Sequence, residues 1–195
     1  MTKVNGDIAT STVYFASPGK GNTEKTLELA RRRAEEIRIR TVLVATTQGD
    51  TALRAVDVFQ GYKVIAVSHS CGYKEPNTLE VTEEKVADFR AKGGILLTTG
   101  HAFAGINRAI RKSLLTYPTV EVIAETLRKV FSPGLKVVCE IALMAADAGL
   151  VRTDQEVLVI AGSGRGADTA AIITPACSNN FFDLRVHEII CRPRG

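Results

Sequence analysis

Tryptophan is missing from this sequence, and its 195 residues hold only four tyrosines and seven phenylalanines. A nucleic-acid surface needs a clustered basic stripe interleaved with aromatic stacking platforms, and the chain offers neither. Its formal net charge of +4 is spread out. The densest basic run, Arg31-Arg32-Arg33, is followed at i+4 spacing by Glu35 and Glu36, the pattern of a solvated helix face. No nucleic-acid partner is expected. Long apolar runs are missing too. The best of them, Leu135 to Val151, is broken by Lys136, Glu140 and Asp147, so no membrane partner is expected. With no basic-then-apolar leader, the reading is a cytoplasmic protein. The four cysteines, Cys71, Cys139, Cys177 and Cys191, show no CxxC spacing and no Cys/His cluster. Free thiols and no metal site are expected.

What is present is an ordinary globular composition, 45 % apolar and 24 % charged, on a length that suits one domain around one core. Thr12 to Ala16 reads as a short buried strand, and Leu27, Ala30, Ala34 and Ile37 recur at helical spacing after the loop Ser17 to Asn22. Thr41 to Ala45 is a second strand, followed by a helix carrying Ala52, Ala55, Val56 and Phe59. Lys63 to Val67 is a third. Residues 74–81 are irregular around Pro76, and a helix then starts at the cap Thr82 and stops at Gly93. Ile95 to Thr98 is the fourth strand. Helices follow over about 102–115, 119–131 and 135–148, and strands return at Glu156 to Ala161, Asp168 to Thr174 and Leu184 to Cys191. The alternation predicts an α/β fold of three αβα layers, with a mostly parallel sheet and an antiparallel edge formed by the closing strands.

In such a sheet, ligands gather where the strands end and the helices begin, because helix N-termini offer free N–H groups. Five turns at that edge are rich in Gly, Ser and Thr: Ser17 to Thr23, Thr46 to Thr51, Ser68 to Tyr73, Thr98 to Gly105, and Gly162 to Gly166. Five together point to phosphate. The groups expected to hold it are Ser17, Gly19, Lys20, Gly21, Asn22 and Thr23 in the first turn and Thr46, Thr47 and Gly49 in the second. Ser68, then Thr98, Thr99 and Gly100, then Gly162, Ser163, Gly164 and Arg165 complete the set. A Walker motif is rejected, since Glu24 stands where a glycine is required. Gly162 to Ala167 formally fits the GxGxxA dinucleotide fingerprint, but Thr169 to Thr174 reads as a strand instead of the helix that fingerprint needs. A backbone nest helped by Arg165 is the expectation there.

The segment Tyr14-Phe15-Ala16-Ser17-Pro18-Gly19-Lys20-Gly21-Asn22-Thr23-Glu24-Lys25 resembles the phosphate loop of flavodoxins, one residue longer and with Lys20 added. The resemblance implies FMN as cofactor, its phosphate on Ser17, Asn22 and Thr23. The order of elements through about residue 70 is similar to the C-terminal α/β domain of pyruvate kinases. The whole chain, with Thr98-Thr99-Gly100-His101-Ala102-Phe103 and Leu143-Met144-Ala145-Ala146-Asp147-Ala148-Gly149, resembles a stand-alone, largely archaeal family related to it. That resemblance implies an allosteric sugar-phosphate site on a Ser/Thr-rich loop after a strand. The catalytic barrel of pyruvate kinase has no counterpart, so kinase activity does not follow.

Three single residues are weak catalytic candidates. His69 and His101 follow strands at the ligand edge, where an imidazole can donate to phosphate or move a proton. Cys71 becomes a nucleophile if His69 or a helix N-terminus activates it. The readings therefore stand in this order: an FMN or related nucleotide-phosphate protein, a sugar-phosphate sensor without chemistry, and a Cys/His hydrolase or transferase. Self-association into a homo-oligomer stays open.

Overall fold

The computed structural model describes residues 3–4 and 7–195. A two-stranded antiparallel ribbon, β1 (Lys3–Val4) and β2 (Asp7–Ile8), precedes the main fold. The chain continues through β3 (Val13–Phe15), α1 (Thr23–Ile37), β4 (Thr41–Ala45), α2 (Asp50–Val58), β5 (Lys63–Ser68), α3 (Glu83–Ala91) and β6 (Ile95–Thr98). Three helices follow, α4 (Ile106–Leu114), α5 (Thr119–Val130) and α6 (Pro133–Asp147), and then β7 (Val157–Ala161), β8 (Thr169–Thr174) and β9 (Arg185–Pro193).

Local chemistry explains the helix starts. The Thr82 hydroxyl accepts the N–H of Lys85, and Glu83 and Glu84 sit in the first turn of α3, where carboxylates meet the positive end of the helix. Ser132 caps α6 through the N–H of Leu135, with Pro133 in the first turn. The helix α4 begins at Ile106 and not at 102, because the chain first turns through Gly105 at φ +62°.

The sheet order is β3-β9-β8-β7-β4-β5-β6. Every pairing is parallel except the two made by β8. The antiparallel strand is thus not at the margin as expected: β9 still exposed an unpaired edge, and β3 adds to it in parallel and becomes the border. The strands β4, β5 and β7 read as continuous apolar runs because helices cover both of their faces. Val42 and Val44 pack with α1 and α2 on one face, while Leu43, one residue out of phase, packs with α6 on the other.

At Gly134 α6 approaches the sheet closely. A Cβ there would lie 2.1 Å from Thr169 Oγ1 and 2.7 Å from Thr169 Cβ. Gly134→Ala is therefore expected to cost about 2–3 kcal/mol of stability by overpacking. The measurement is the urea midpoint at unchanged slope. An unmoved midpoint would mean that α6 can slide outward freely.

Candidate functional site: a cationic cleft at the sheet edge

All the parallel strands deliver their C-terminal ends to one edge. The chain leaves β4 toward β5 on one side, while β7 lies on the other, and open α/β sheets form their crevice at such a reversal. Here it is a cleft of about 310 Å³. The turns after β4, β5 and β7 line it together with the first loop and α6.

Its charge is lopsided. Lys20, Arg54, Arg108, Arg128, Lys136 and Arg165 line it, against only the carboxylates Asp50 and Glu140. Asp50 is answered from outside by Lys85 at 2.6 Å, which holds its carboxyl below the usual range. Glu140 is bound to Lys136. Arg54 and Arg128 pair with Glu24 and Glu125. Arg165 donates to the Gln48 side chain. Lys20, Arg108 and Arg165 have no carboxylate partner among the described residues, so the cleft carries an unmatched positive field.

The glycine loops turn out to be fastened to each other. Asp168, fully buried, accepts the N–H of Gly19 at 2.8 Å and that of Ser163 at 3.1 Å on one oxygen. Its other oxygen takes the Thr169 hydroxyl at 2.8 Å and the Ser163 hydroxyl at 3.4 Å. The Thr23 hydroxyl accepts the N–H of Ala167 and donates to the Lys20 carbonyl. At Gly166, φ is +75° and a Cβ would lie 2.5 Å from Thr23 Oγ1, so only glycine lets the two loops meet. The Asn22 side chain donates to the Ser17 carbonyl. The fastening has a consequence for ligand binding: Gly19 and Thr23 spend their polar groups inside the protein. Lys20 and Thr23 are the first-loop residues that reach the cleft wall.

Further along the cleft, the rings of His69 and Tyr73 stack at 3.9 Å, with His101 5.2 Å from Tyr73 and the Arg108 guanidinium 4.7 Å above it. His69 Nδ1 lies 2.5 Å from Glu80 Oε2. Burial holds His69 below the ordinary histidine range, outweighing the opposing pull of Glu80. Burial works to raise the Glu80 carboxyl, yet Lys74 and His69 bring it below its usual range. His101 accepts the N–H of Ser70 at Nε2, so its proton sits on Nδ1, which faces Glu140 Oε2 at 3.8 Å. Glu140 Oε1 accepts the N–H of Phe103 at 2.9 Å. Burial pushes the Glu140 carboxyl up, but His101 and Lys136 overcome it and hold it at about 2. Burial likewise pulls Lys136 below the ordinary lysine range, with Glu140 acting the other way. The two residues rest as an ion pair.

Of the residues named from sequence, Lys20, Thr23, Thr46, Thr47, Ser68, His69, His101, Gly162, Gly164 and Arg165 line the cleft. Ser17, Gly19, Gly21, Asn22, Gly49, Cys71, Thr98, Thr99, Gly100 and Ser163 do not. Thr98 serves as a hydrogen-bond partner for Ser68 at 2.6 Å, and Thr46 accepts the N–H of Gly49. Cys71 is exposed and does not line the cleft. Sequence reasoning missed Arg54, Tyr73, Glu80, Arg108 and Asp168. Lys136 and Glu140 had left a signal, since an i,i+4 ion pair interrupts an otherwise apolar helix. No group of three or more His, Cys, Asp or Glu side chains that could hold a metal ion occurs among the described residues, and no described helix is long and apolar enough to cross a membrane.

A solved structure of Cryptosporidium parvum pyruvate kinase in complex with ADP is similar at 12 % identity and a TM-score of 0.37. The similarity covers 86 % of this chain and 23 % of that one, so the chain spans about a quarter of that enzyme's length. The family model for the pyruvate kinase alpha/beta domain matches residues 24–173, from the start of α1 to the end of β8. The matched stretch holds β4 to β8 of the seven-stranded sheet, helices on both of its faces and the cleft-bearing turns after β4, β5 and β7, while β3 and β9 lie outside it; the chain belongs to the pyruvate kinase alpha/beta domain family.

Proposed function

We propose that this protein binds a phosphorylated small molecule in the cleft, with FMN the first candidate. The observation that carries the reading is the charge of the lining, six cationic side chains against two carboxylates that both have cationic partners. A phosphate ester answers that field through charge-assisted hydrogen bonds, the strongest kind available to Lys and Arg. Thr47, Gln48, Asp50 and Thr51 bring the N-terminus of α2 into the same space, adding N–H donors. A volume of about 310 Å³ suits a ligand of nucleotide size, and the His69, Tyr73 and His101 rings give it an aromatic wall.

One observation favours a second reading, a sugar-phosphate sensor. The Thr-rich turn after β4 lines the cleft and lies within the stretch matched by the pyruvate kinase alpha/beta domain. Thermal-shift titration separates the two readings. A ligand at a hundred times its Kd stabilises the native state by about 2.7 kcal/mol. FMN, riboflavin, fructose 1,6-bisphosphate and fructose are the probes. Stabilisation by FMN but not by riboflavin is the expected result, and stabilisation by the bisphosphate alone selects the sensor.

Lys20 is the sharpest internal check, since it reaches the cleft without a carboxylate partner among the described residues. Lys20→Ala is expected to weaken FMN roughly ten- to a hundredfold, the loss of one charge-assisted contact, and to leave riboflavin unchanged. An unchanged ratio of the two affinities would remove Lys20 from the phosphate site.

A further inference from the structure

Two features of the cleft exceed what holding a phosphate requires. The first is the buried ion pair. Lys136 and Glu140 are each 3 % exposed, on a helix whose other buried residues are apolar. Burying two charges costs several kcal/mol per ion, and apolar residues of similar volume serve a fold as well or better. The pair nevertheless lines the cleft.

The second is the way His69 is held. Glu80, whose side chain is 10 % exposed, meets Nδ1 at 2.5 Å and is itself braced by Lys74 at 2.8 Å. A carboxylate on Nδ1 keeps the proton there and leaves Nε2 as the nitrogen with a lone pair. No described residue hydrogen-bonds to Nε2, and the ring lines the cleft. The two features adjoin: the His69 and His101 rings lie 5.4 Å apart, and His101 faces the carboxylate that holds Lys136.

We infer that the cleft is an acid–base centre that enolises a phosphorylated carbonyl compound, with His69 as catalytic base and Lys136 as the cation at the carbonyl oxygen. The inference rests on the phosphate reading above and names its substrate class, an aldose or ketose phosphate. His69 Nε2 takes the proton from the carbon beside the carbonyl. The C–H electron pair becomes the C=C bond, and the carbonyl π pair moves onto oxygen, where the Lys136 ammonium offsets the new charge. Return of a proton from His69 to that carbon restores the substrate, so the step exchanges that hydrogen with solvent and changes nothing else. Glu80 is a positioning residue, keeping the lone pair on Nε2.

The test uses fructose 6-phosphate and dihydroxyacetone phosphate in D2O, followed by proton NMR of the hydrogens beside the carbonyl, with binding of each measured by calorimetry. At least one probe is expected to lose its hydrogen signal a hundredfold or more faster than without protein. His69→Gln should abolish this even at probe concentrations that calorimetry shows to saturate the variant. Glu80→Gln should slow exchange at least tenfold and move the His69 nitrogen shifts toward the Nε2–H tautomer, which a merely structural role would not do. Binding of either probe without exchange overturns the inference and leaves the phosphate reading intact. Binding of neither probe overturns it as well, and the FMN titration then decides the phosphate reading separately. Exchange at the parental rate in His69→Gln, or release of inorganic phosphate in place of exchange, also overturns it.

Discussion

Lys136→Met is expected to destabilise the protein by about 3–5 kcal/mol, the cost of leaving a buried carboxylate without its cation. Glu140 would keep the Phe103 N–H and the distant His101 ring, which satisfy part of its oxygens but supply no fixed positive charge. Lys136→Met/Glu140→Leu should recover most of that loss, since the site then buries apolar groups of similar volume. Urea denaturation of the single and double variants checks both statements. A Lys136→Met protein as stable as the parent would show that the pair is already solvated.

The same pair sets an acid limb. The Glu140 carboxyl falls from an ordinary 4.5 to about 2 in the folded protein. A depressed carboxylate contributes stability above its unfolded value, and that contribution is lost as pH falls through the folded one. Stability should therefore decline between about pH 4.5 and pH 2. The double variant lacks this carboxylate, so its decline over that window should be shallower.

Asp168→Ala should cost about 3–5 kcal/mol and weaken the phosphorylated ligand at least tenfold. The substitution orphans the part-buried amides of Gly19 and Ser163 and the buried Thr169 hydroxyl, at about 1–3 kcal/mol for each donor left unmet, the low end applying to the two amides. It also unfastens the loop that carries Lys20 from the loop that carries Arg165, and both residues line the cleft. Asp168→Asn is the informative companion. Its carbonyl oxygen can take the two amides, while its NH2 group faces the Thr169 and Ser163 hydroxyls, which can turn and accept. Asp168→Asn should stay within about 1–2 kcal/mol of the parent, the difference between charged and neutral acceptors. Calorimetric affinity for FMN and a denaturation curve for each variant decide the matter, and equal losses for Asn and Ala would mean that the charge itself matters.

Much of this arrangement was readable from residue order. β-Branched runs such as Thr41–Ala45 and Lys63–Ser68 could hardly be anything but buried strands, and Thr82 with Glu83 and Glu84 marked the start of α3 through chemistry confined to one turn. The alternation of such units made a mostly parallel sheet the natural outcome, and with it the edge where glycine-rich turns collect. These are local properties, decided by side-chain period and by caps a few residues away. The interior place of β8 was not readable, because β3 pairs with β9 across the whole length of the chain and no local pattern names a strand's neighbour. Nor could the sequence show which glycine-loop donors remain for a ligand: Asp168 claims the Gly19 amide from 149 residues away. Lys136 and Glu140 stood in the sequence only as breaks in an apolar run, and the packing of α6 against the sheet turned them toward the cleft with the His69 and His101 rings nearby. Side-chain identity supplied the charges. The direction in which they point depends on contacts that form only once distant segments have met.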